Sequence, residues 1–393
     1  MKPARKGQRQ RLYDAPAGAS NSRSRFSDRW WAFLVVLMAL SCVGAGPPQL
    51  RSGHTHPLRL TQGQIDSIMI VKAGPEINAS AAAIVDRASD AMLWSKNAEL
   101  ALPMASTTKL MTALVALESL SPDDVITVPA AAIIGNASMG LTAGDQVSVR
   151  ALLYGALLPS GNDAAMTLAI AAAGSEAAFV ERMNQRAAEW GLQKTHFVNP
   201  HGLDAPDHVS SARDLSALTR RALDNTIISE VVSTPQITIE GYPLTNTNLL
   251  LNAYDGAYGV KTGTTDEAGQ VLIAAVDNGH GDALTVVLNS PDRFAETPRM
   301  LDFYFDNWQW LDLKLRQNAL NKITAPDGSM YTLYSASRPL FLQHWQVDQL
   351  RTSRAISFDA NNEPAGLYQI WLGEEKLTDV PIQFKRVRPA QDR

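Results

Sequence analysis

Pro103-Met104-Ala105-Ser106-Thr107-Thr108-Lys109-Leu110-Met111-Thr112-Ala113-Leu114-Val115-Ala116-Leu117 sets a serine and a lysine three residues apart where an apolar helix begins. Leu110, Met111, Leu114, Val115 and Leu117 recur at roughly helical spacing. Ser106 and Lys109 therefore fall on one face of the first turn. A helix start also presents free N–H groups and a partial positive charge, which suit a developing oxyanion. A serine hydroxyl is a poor nucleophile until a base removes its proton. Lys109 can be that base only as the neutral amine, so its pKa has to fall from a reference value of about 10.4. Burial and a second nearby cation would both push it that way. Alone, the pair reads equally well as a helix N-cap and an exposed lysine.

Two more strings change the balance. Ser160-Gly161-Asn162 lies between two helical stretches, after Leu157-Leu158-Pro159. A hydroxyl there can relay a proton between nucleophile, amine and leaving group, and an Asn amide can bind a carbonyl and steady a lysine. Lys261-Thr262-Gly263-Thr264 follows Tyr258-Gly259-Val260 and is expected to end a strand. Lys261 is the candidate second cation. Gly263 lets a substrate backbone approach the strand edge, while Lys261, Thr262 and Thr264 suit a carboxylate. The N–H of Thr264 can pair with that of Ser106 as an oxyanion hole. Each string is weak alone; in this order the three make up an acyl-transfer site.

Outward from these strings the texture is α+β. Ala82–Val85 and Met92–Trp94 flank Asp86–Asp90 as a hairpin. Helical stretches follow at Val149–Leu158, Asp163–Ala173, Glu176–Trp190 and Ala212–Asn225. The chain then returns to strands at Gln236–Glu240, Gly259–Lys261, Val271–Val276 and Leu284–Leu288 before a helix over Arg293–Trp308. The hairpin is expected to pair with the late strands, giving an antiparallel sheet with helices on both faces. From about Asn318, short β-favouring runs alternate with turns such as Pro326-Asp327-Gly328, which predicts a small all-β domain over 318–388. The catalytic domain is expected over 76–310.

The 393 residues are 45% hydrophobic and 19% charged, ordinary for a globular protein. The net charge of −4 hides an asymmetry, because residues 1–29 carry eight Lys or Arg against two Asp. No basic footprint extends over the rest, so nucleic acid is not an expected partner. The basic tail 1–29, expected to be cytoplasmic, precedes an apolar run over 30–46 closed by Pro47-Pro48, and 47–75 reads as a linker. The run sits at the low end of bilayer-spanning length, and the charge asymmetry predicts export of the remainder. It reads either as a retained membrane anchor or as a signal segment cleaved near Val43-Gly44-Ala45. Cys42, the only cysteine, lies inside it, so the exported part has no disulfides. No metal or cofactor is expected.

The three strings, with Asn199-Pro200-His201-Gly202-Leu203 and Ser211-Ala212-Arg213-Asp214-Leu215, resemble the D-alanyl-D-alanine carboxypeptidases among the low-molecular-weight penicillin-binding proteins. The resemblance covers roughly 76–308. It implies the β-lactamase-like fold and acylation of Ser106 by the peptidoglycan stem peptide, with loss of terminal D-alanine and hydrolysis of the acyl-enzyme. β-Lactam antibiotics are implied as covalent inhibitors. By the same resemblance Lys109 acts as base, Ser160 relays protons, Asn162 shapes the site, Lys261 supports substrate binding and Arg293 receives the substrate's terminal carboxylate. His201 and His208 are expected to be structural or at the rim, since an amine base is already present. No E-x-x-x-N occurs between Asn162 and Lys261, which argues against a β-lactamase that deacylates through a glutamate. A D,D-endopeptidase that cuts cross-links would use the same residues and stays open. A non-catalytic wall-binding protein is disfavoured by the complete set of catalytic side chains. The family's frequent C-terminal amphipathic helix is not seen in this sequence, which favours an N-terminal anchor.

Overall fold

The computed structural model describes residues 61–387; the basic tail, the apolar run 30–46 and Cys42 lie outside them. The first helix, α1 (Gln62–Ala73), stands where a linker was expected. Its start is fixed by a capping box: Gln64 N–H donates to Thr61 Oγ1 at 3.3 Å and Thr61 N–H to Gln64 Oε1 at 2.8 Å. The Gln, Gly and Ser content that suggested a linker conceals Val71, which packs on the core.

The hairpin forms as expected from β1 (Ala81–Asp86) and β2 (Ala91–Lys96). The helices are α2 (Lys109–Leu117), entered through a 3-10 turn over Ala105–Thr108, then α3 (Val149–Leu157), α4 (Asn162–Ala173), α5 (Glu176–Glu189) and α6 (Ala212–Asp224). Next, α7 (Thr226–Ser233) fills a stretch to which the sequence assigns no element, ahead of the strand expected at Gln236–Glu240. Its β-branched residues suggest a strand, but Asn225 Oδ1 accepts from Ile227 and Ile228 N–H at 3.0 and 3.2 Å. That cap lets Ile228, Val231 and Val232 line one buried face.

Strands β3 (Ala257–Thr265), β4 (Gly269–Asp277) and β5 (Asp282–Ser290) complete an antiparallel sheet in the order β2-β1-β5-β4-β3. The hairpin thus pairs with the late strands, Ala81 opposite Leu288 through Asp86 opposite Ala283. Strand β1 is buried along its whole length, which explains its unbroken apolar run. Ala81, Ala83 and Val85 face the core made with α2, α3, α4 and α6, while Ala82 and Ile84 face α8 (Arg293–Asn307) through Met300, Leu301 and Tyr304. The helical block therefore clamps one sheet face and α8 the other. Strand β3 is one of the two edge strands, and among the described residues its far side has no strand partner.

After α8 the chain enters β6 (Trp308–Leu313). It continues with β7 (Lys322–Thr324), β8 (Met330–Ser335), β9 (Arg338–Gln343), β10 (Leu350–Phe358), β11 (Pro364–Leu372) and β12 (Glu375–Arg386). Strands β6 and β9 pair with each other, and the others form a sheet in the order β7-β8-β12-β11-β10 over a separate core of Leu315, Leu333, Tyr368, Ile370, Val380 and Ile382. Buried Asp86 ties this region to the first sheet, accepting from Tyr304 Oη at 2.6 Å and Trp310 Nε1 at 3.0 Å. Among the described residues no single helix is long and apolar enough to cross a membrane.

Candidate active site

Ser106 sits in the 3-10 turn that feeds α2, and Lys109 opens that helix fully buried. The ammonium nitrogen of Lys109 lies 2.9 Å from Ser106 Oγ, 2.8 Å from Asn162 Oδ1 and 2.6 Å from the carbonyl of His201. Three short contacts fix it on the serine with no solvent access. Burial, then the Lys261 cation, holds its pKa well below the usual lysine value, with Asp163 pulling weakly the other way. Both influences expected from the sequence are present. Ser106 Oγ and Lys109 Nζ are thus held within hydrogen-bond reach, with the charged form of the lysine disfavoured.

The turn around Ser106 is held under strain. Ala105 adopts φ +47°, unusual for a residue with a Cβ, and its carbonyl accepts Thr108 Oγ1 at 2.8 Å. His208 Nδ1 accepts from Val198 N–H at 2.9 Å, so the ring proton is on Nε2, which donates to Thr108 Oγ1 at 2.8 Å. Burial pushes His208 down to about 4 and His201 down to about 3. Both rings are neutral, and His201 touches the site through its carbonyl rather than its imidazole. Gly202, at φ +89°, passes so close that a Cβ would stand 2.1 Å from Ala105 O.

Asn162 begins α4, and its Nδ2 donates to Gly135 O at 3.1 Å, which leaves Oδ1 for Lys109. Asp163, to which the sequence reading gave no role, locks this turn. Its carboxylate accepts from the amides of Met139, Gly140 and Leu141 at 3.0–3.2 Å and from Ser138 Oγ at 2.5 Å. Gly161 has no room for a Cβ, which would lie 2.7 Å from Asp163 Oδ1 and 2.9 Å from Gly155 O. Ser160 sits at φ +68°, its Oγ buried without a hydrogen-bond partner. The structure thus gathers Ser106, Lys109 and Asn162 by direct contact, while Ser160 makes no hydrogen bond to them.

Lys261, Thr262, Gly263 and Thr264 lie within β3 rather than at its end, because pairing with β4 continues to Thr265 opposite Gly269. The turn signals beyond Thr264 mark the β3–β4 hairpin, not an earlier stop. Lys261 is buried, donates only to Thr262 O at 3.0 Å, and is pushed down to about 7 by burial and then by the Arg293 cation. Gly263 crosses directly over the nucleophile turn: a Cβ there would lie 2.9 Å from Ala105 Cβ and 3.0 Å from Ser106 N. Arg293, the first residue of α8, donates Nη1 to Gly263 O and to Thr264 Oγ1, both at 2.7 Å. That cation therefore stands against the outer part of the same strand.

An antiparallel sheet with helices on both faces, and a half-buried serine held by a buried lysine under its edge strand, define the class of active-site-serine enzymes with the β-lactamase and penicillin-binding-protein fold. A profile for D-alanyl-D-alanine carboxypeptidases, peptidase family S11, matches residues 69–292. DacF, a D-alanyl-D-alanine carboxypeptidase of Bacillus subtilis, is 34% identical over 264 residues, covering 64% of this chain and 68% of its own length. A D-alanyl-D-alanine endopeptidase of Pseudomonas aeruginosa is 34% identical over 57% of this chain and 76% of its own. The crystal structure of penicillin binding protein 6B from Escherichia coli shares the fold at TM-score 0.62 and 28% identity, covering 78% of this chain and 95% of that one. Against three Escherichia coli carboxypeptidases the chain spans less than two thirds of their length, 62%, 59% and 62%. This chain belongs to the D-alanyl-D-alanine carboxypeptidase family of serine peptidases. Ser106, Lys109, Ser160, Asn162 and Lys261 all fall inside the matched stretch, and Arg293 lies one residue beyond it.

Proposed function

We propose that this protein is a D-alanyl-D-alanine carboxypeptidase that removes the terminal D-alanine from peptidoglycan stem peptides. The observation that carries the reading is the buried Lys109 amine 2.9 Å from Ser106 Oγ. Neutral Lys109 takes the hydroxyl proton as Ser106 Oγ attacks the carbonyl of the penultimate D-alanine. The developing oxyanion is held by the N–H groups of Ser106 and Thr264, brought together by the close crossing at Gly263. Ser160, whose Oγ has no competing partner, passes a proton to the departing amine. Asn162 steadies Lys109 and the substrate carbonyl. Lys261, Thr262, Thr264 and Arg293 receive the terminal carboxylate, since Lys261 on β3 and Arg293 from α8 beside it bring two basic side chains to the same strand. Water then cleaves the ester by the reverse proton path.

β-Lactam antibiotics, which carry an acylating carbonyl and a carboxylate, fit the same site as covalent inhibitors. Action on peptidoglycan places the catalytic region outside the cytoplasm, with the apolar run over 30–46 as its membrane anchor or its export signal. The likeness to an endopeptidase supports cross-link cleavage as a second reaction of the same residues. Incubation with pentapeptide and with cross-linked dimer separates the two. Release of free D-alanine from the pentapeptide is expected, and monomer release from the dimer measures the second reaction; dimer cleavage without D-alanine release contradicts the carboxypeptidase assignment.

A further inference from the structure

The segment Asn246-Thr247-Asn248 touches the motif on β3 and the backbone two residues before Ser160. Thr247 donates its N–H to Leu158 O at 3.1 Å, two residues before Ser160, and its Oγ1 lies 3.3 Å from the same carbonyl. That Oγ1 is also 2.6 Å from Thr262 Oγ1, in the motif on β3. Asn248 Nδ2 donates to Gly259 O at 2.8 Å, and Asn246 Nδ2 to Val232 O and Thr234 O at 3.2 and 3.1 Å. Asn246, Asn248 and Thr262 are buried. The segment is thus clamped, and it holds the hydroxyl of Thr247 against Thr262 on β3, the strand that has no further strand partner among the described residues.

We propose that Thr247 is a positioning residue that sets the direction in which Thr262 donates. The inference rests on the reading of β3 as the seat of the substrate carboxylate. Each hydroxyl has one proton. Before a carboxylate binds, Thr247 can donate to Leu158 O and Thr262 into Thr247, which turns the outer lone pairs of Thr262 towards the site. An arriving carboxylate needs a donor. Thr262 supplies it when the pair reverses, Thr247 donating to Thr262 and Thr262 to the carboxylate. Leu158 O keeps the Thr247 N–H throughout, so the reversal strands no buried acceptor. The result is a charge-assisted bond that exists only with carboxylate bound, polarised by a second hydroxyl behind it.

The test uses the full chain with Thr247→Val, which keeps the branched shape and removes the hydroxyl, and Thr247→Ser, which restores it. Two probes are used: benzylpenicillin, which carries a carboxylate, and phenylboronic acid, which binds a reactive serine without one. Thr247→Val is expected to acylate with benzylpenicillin about tenfold more slowly, to bind phenylboronic acid as the unsubstituted chain does, and to melt at an unchanged temperature; Thr247→Ser is expected to match the unsubstituted chain on both probes. Unchanged acylation by Thr247→Val, equal losses on both probes, or failure of Thr247→Ser to restore acylation would each overturn the proposal. If the unsubstituted chain binds phenylboronic acid but is not acylated by benzylpenicillin, the functional reading itself has failed, and the role of Thr247 falls with it.

Discussion

Gly263→Ala is the substitution whose effect follows most directly from the geometry. The added Cβ would meet Ala105 Cβ at 2.9 Å, Ser106 N at 3.0 Å and Met104 O at 3.3 Å, against ordinary contacts of 3.4–4 Å. All three atoms belong to the nucleophile turn or its backbone, so no flexible side chain can swing aside. Either β3 or the Ala105–Ser106 turn must retreat by about 0.5 Å, and the proposed pairing of the Ser106 and Thr264 amides depends on this crossing. A misplacement of about 1 Å costs on the order of 10²-fold in rate, and loss of one oxyanion donor about 10²–10³-fold. Acylation by fluorescent penicillin is therefore expected to slow by about 10- to 10²-fold. Overpacking costs about 1–3 kcal/mol, or a fall in Tm of roughly 2–10 °C for a domain of this size. Stopped-flow acylation and calorimetry read the two effects separately. Gly135→Ala, where a Cβ meets nothing within 4 Å, is the control. Acylation of Gly263→Ala at the unsubstituted rate would refute the reasoning that the oxyanion site depends on this crossing.

Three further expectations concern charge and loop order. Lys109 works as the neutral amine, so acylation is lost as pH falls through its depressed pKa; Lys261→Ala removes a cation that depresses it, and the acid limb of the pH–rate profile should move to higher pH. A profile unmoved by that change would show that Lys261 does not tune Lys109. His201 and His208 stay neutral in the folded chain down to about 3 and about 4, whereas unfolded histidines protonate near 6.5. The unfolded state then binds more protons, so stability should fall as pH drops from about 6.5 towards 4, and His208→Gln should flatten that slope in thermal melts. Asp163→Asn converts part of an acceptor that serves three loop amides into a donor, and should cost about 2–4 kcal/mol by denaturant titration while slowing acylation, because the Gly161 turn is locked by the same carboxylate.

Much of this site was legible because its chemistry is local. The Ser106–Lys109 spacing places both residues on one helical face whatever surrounds them, and the apolar run after Lys109 requires burial. The pairing of the hairpin with late strands was legible because β1 is apolar from Ala81 to Val85 and must be covered on both faces. Other features depend on partners distant in sequence. Asp163 reads as an ordinary first-turn acid until the Ser138–Leu141 loop folds onto it, and Thr247 carries no local pattern at all. Helix α7 was hidden by its β-branched residues, since the Asn225 cap outweighed their intrinsic preference. Helix α1 was hidden by linker-like composition, although Thr61 and Gln64 are a readable capping pair three residues apart. The placement of Lys261 inside β3 rather than at its end follows from pairing with β4, which no motif spacing encodes.

The central claim is that Ser106, activated by a buried neutral Lys109, is the acylated residue. Mass spectrometry of peptides from the chain incubated with benzylpenicillin tests it most directly. A single penicilloyl adduct on the peptide containing Ser106, abolished by Ser106→Ala and strongly retarded by Lys109→Ala in a protein that still folds, is the predicted result. An adduct on any other serine, or undiminished labelling of Ser106→Ala, would contradict the account.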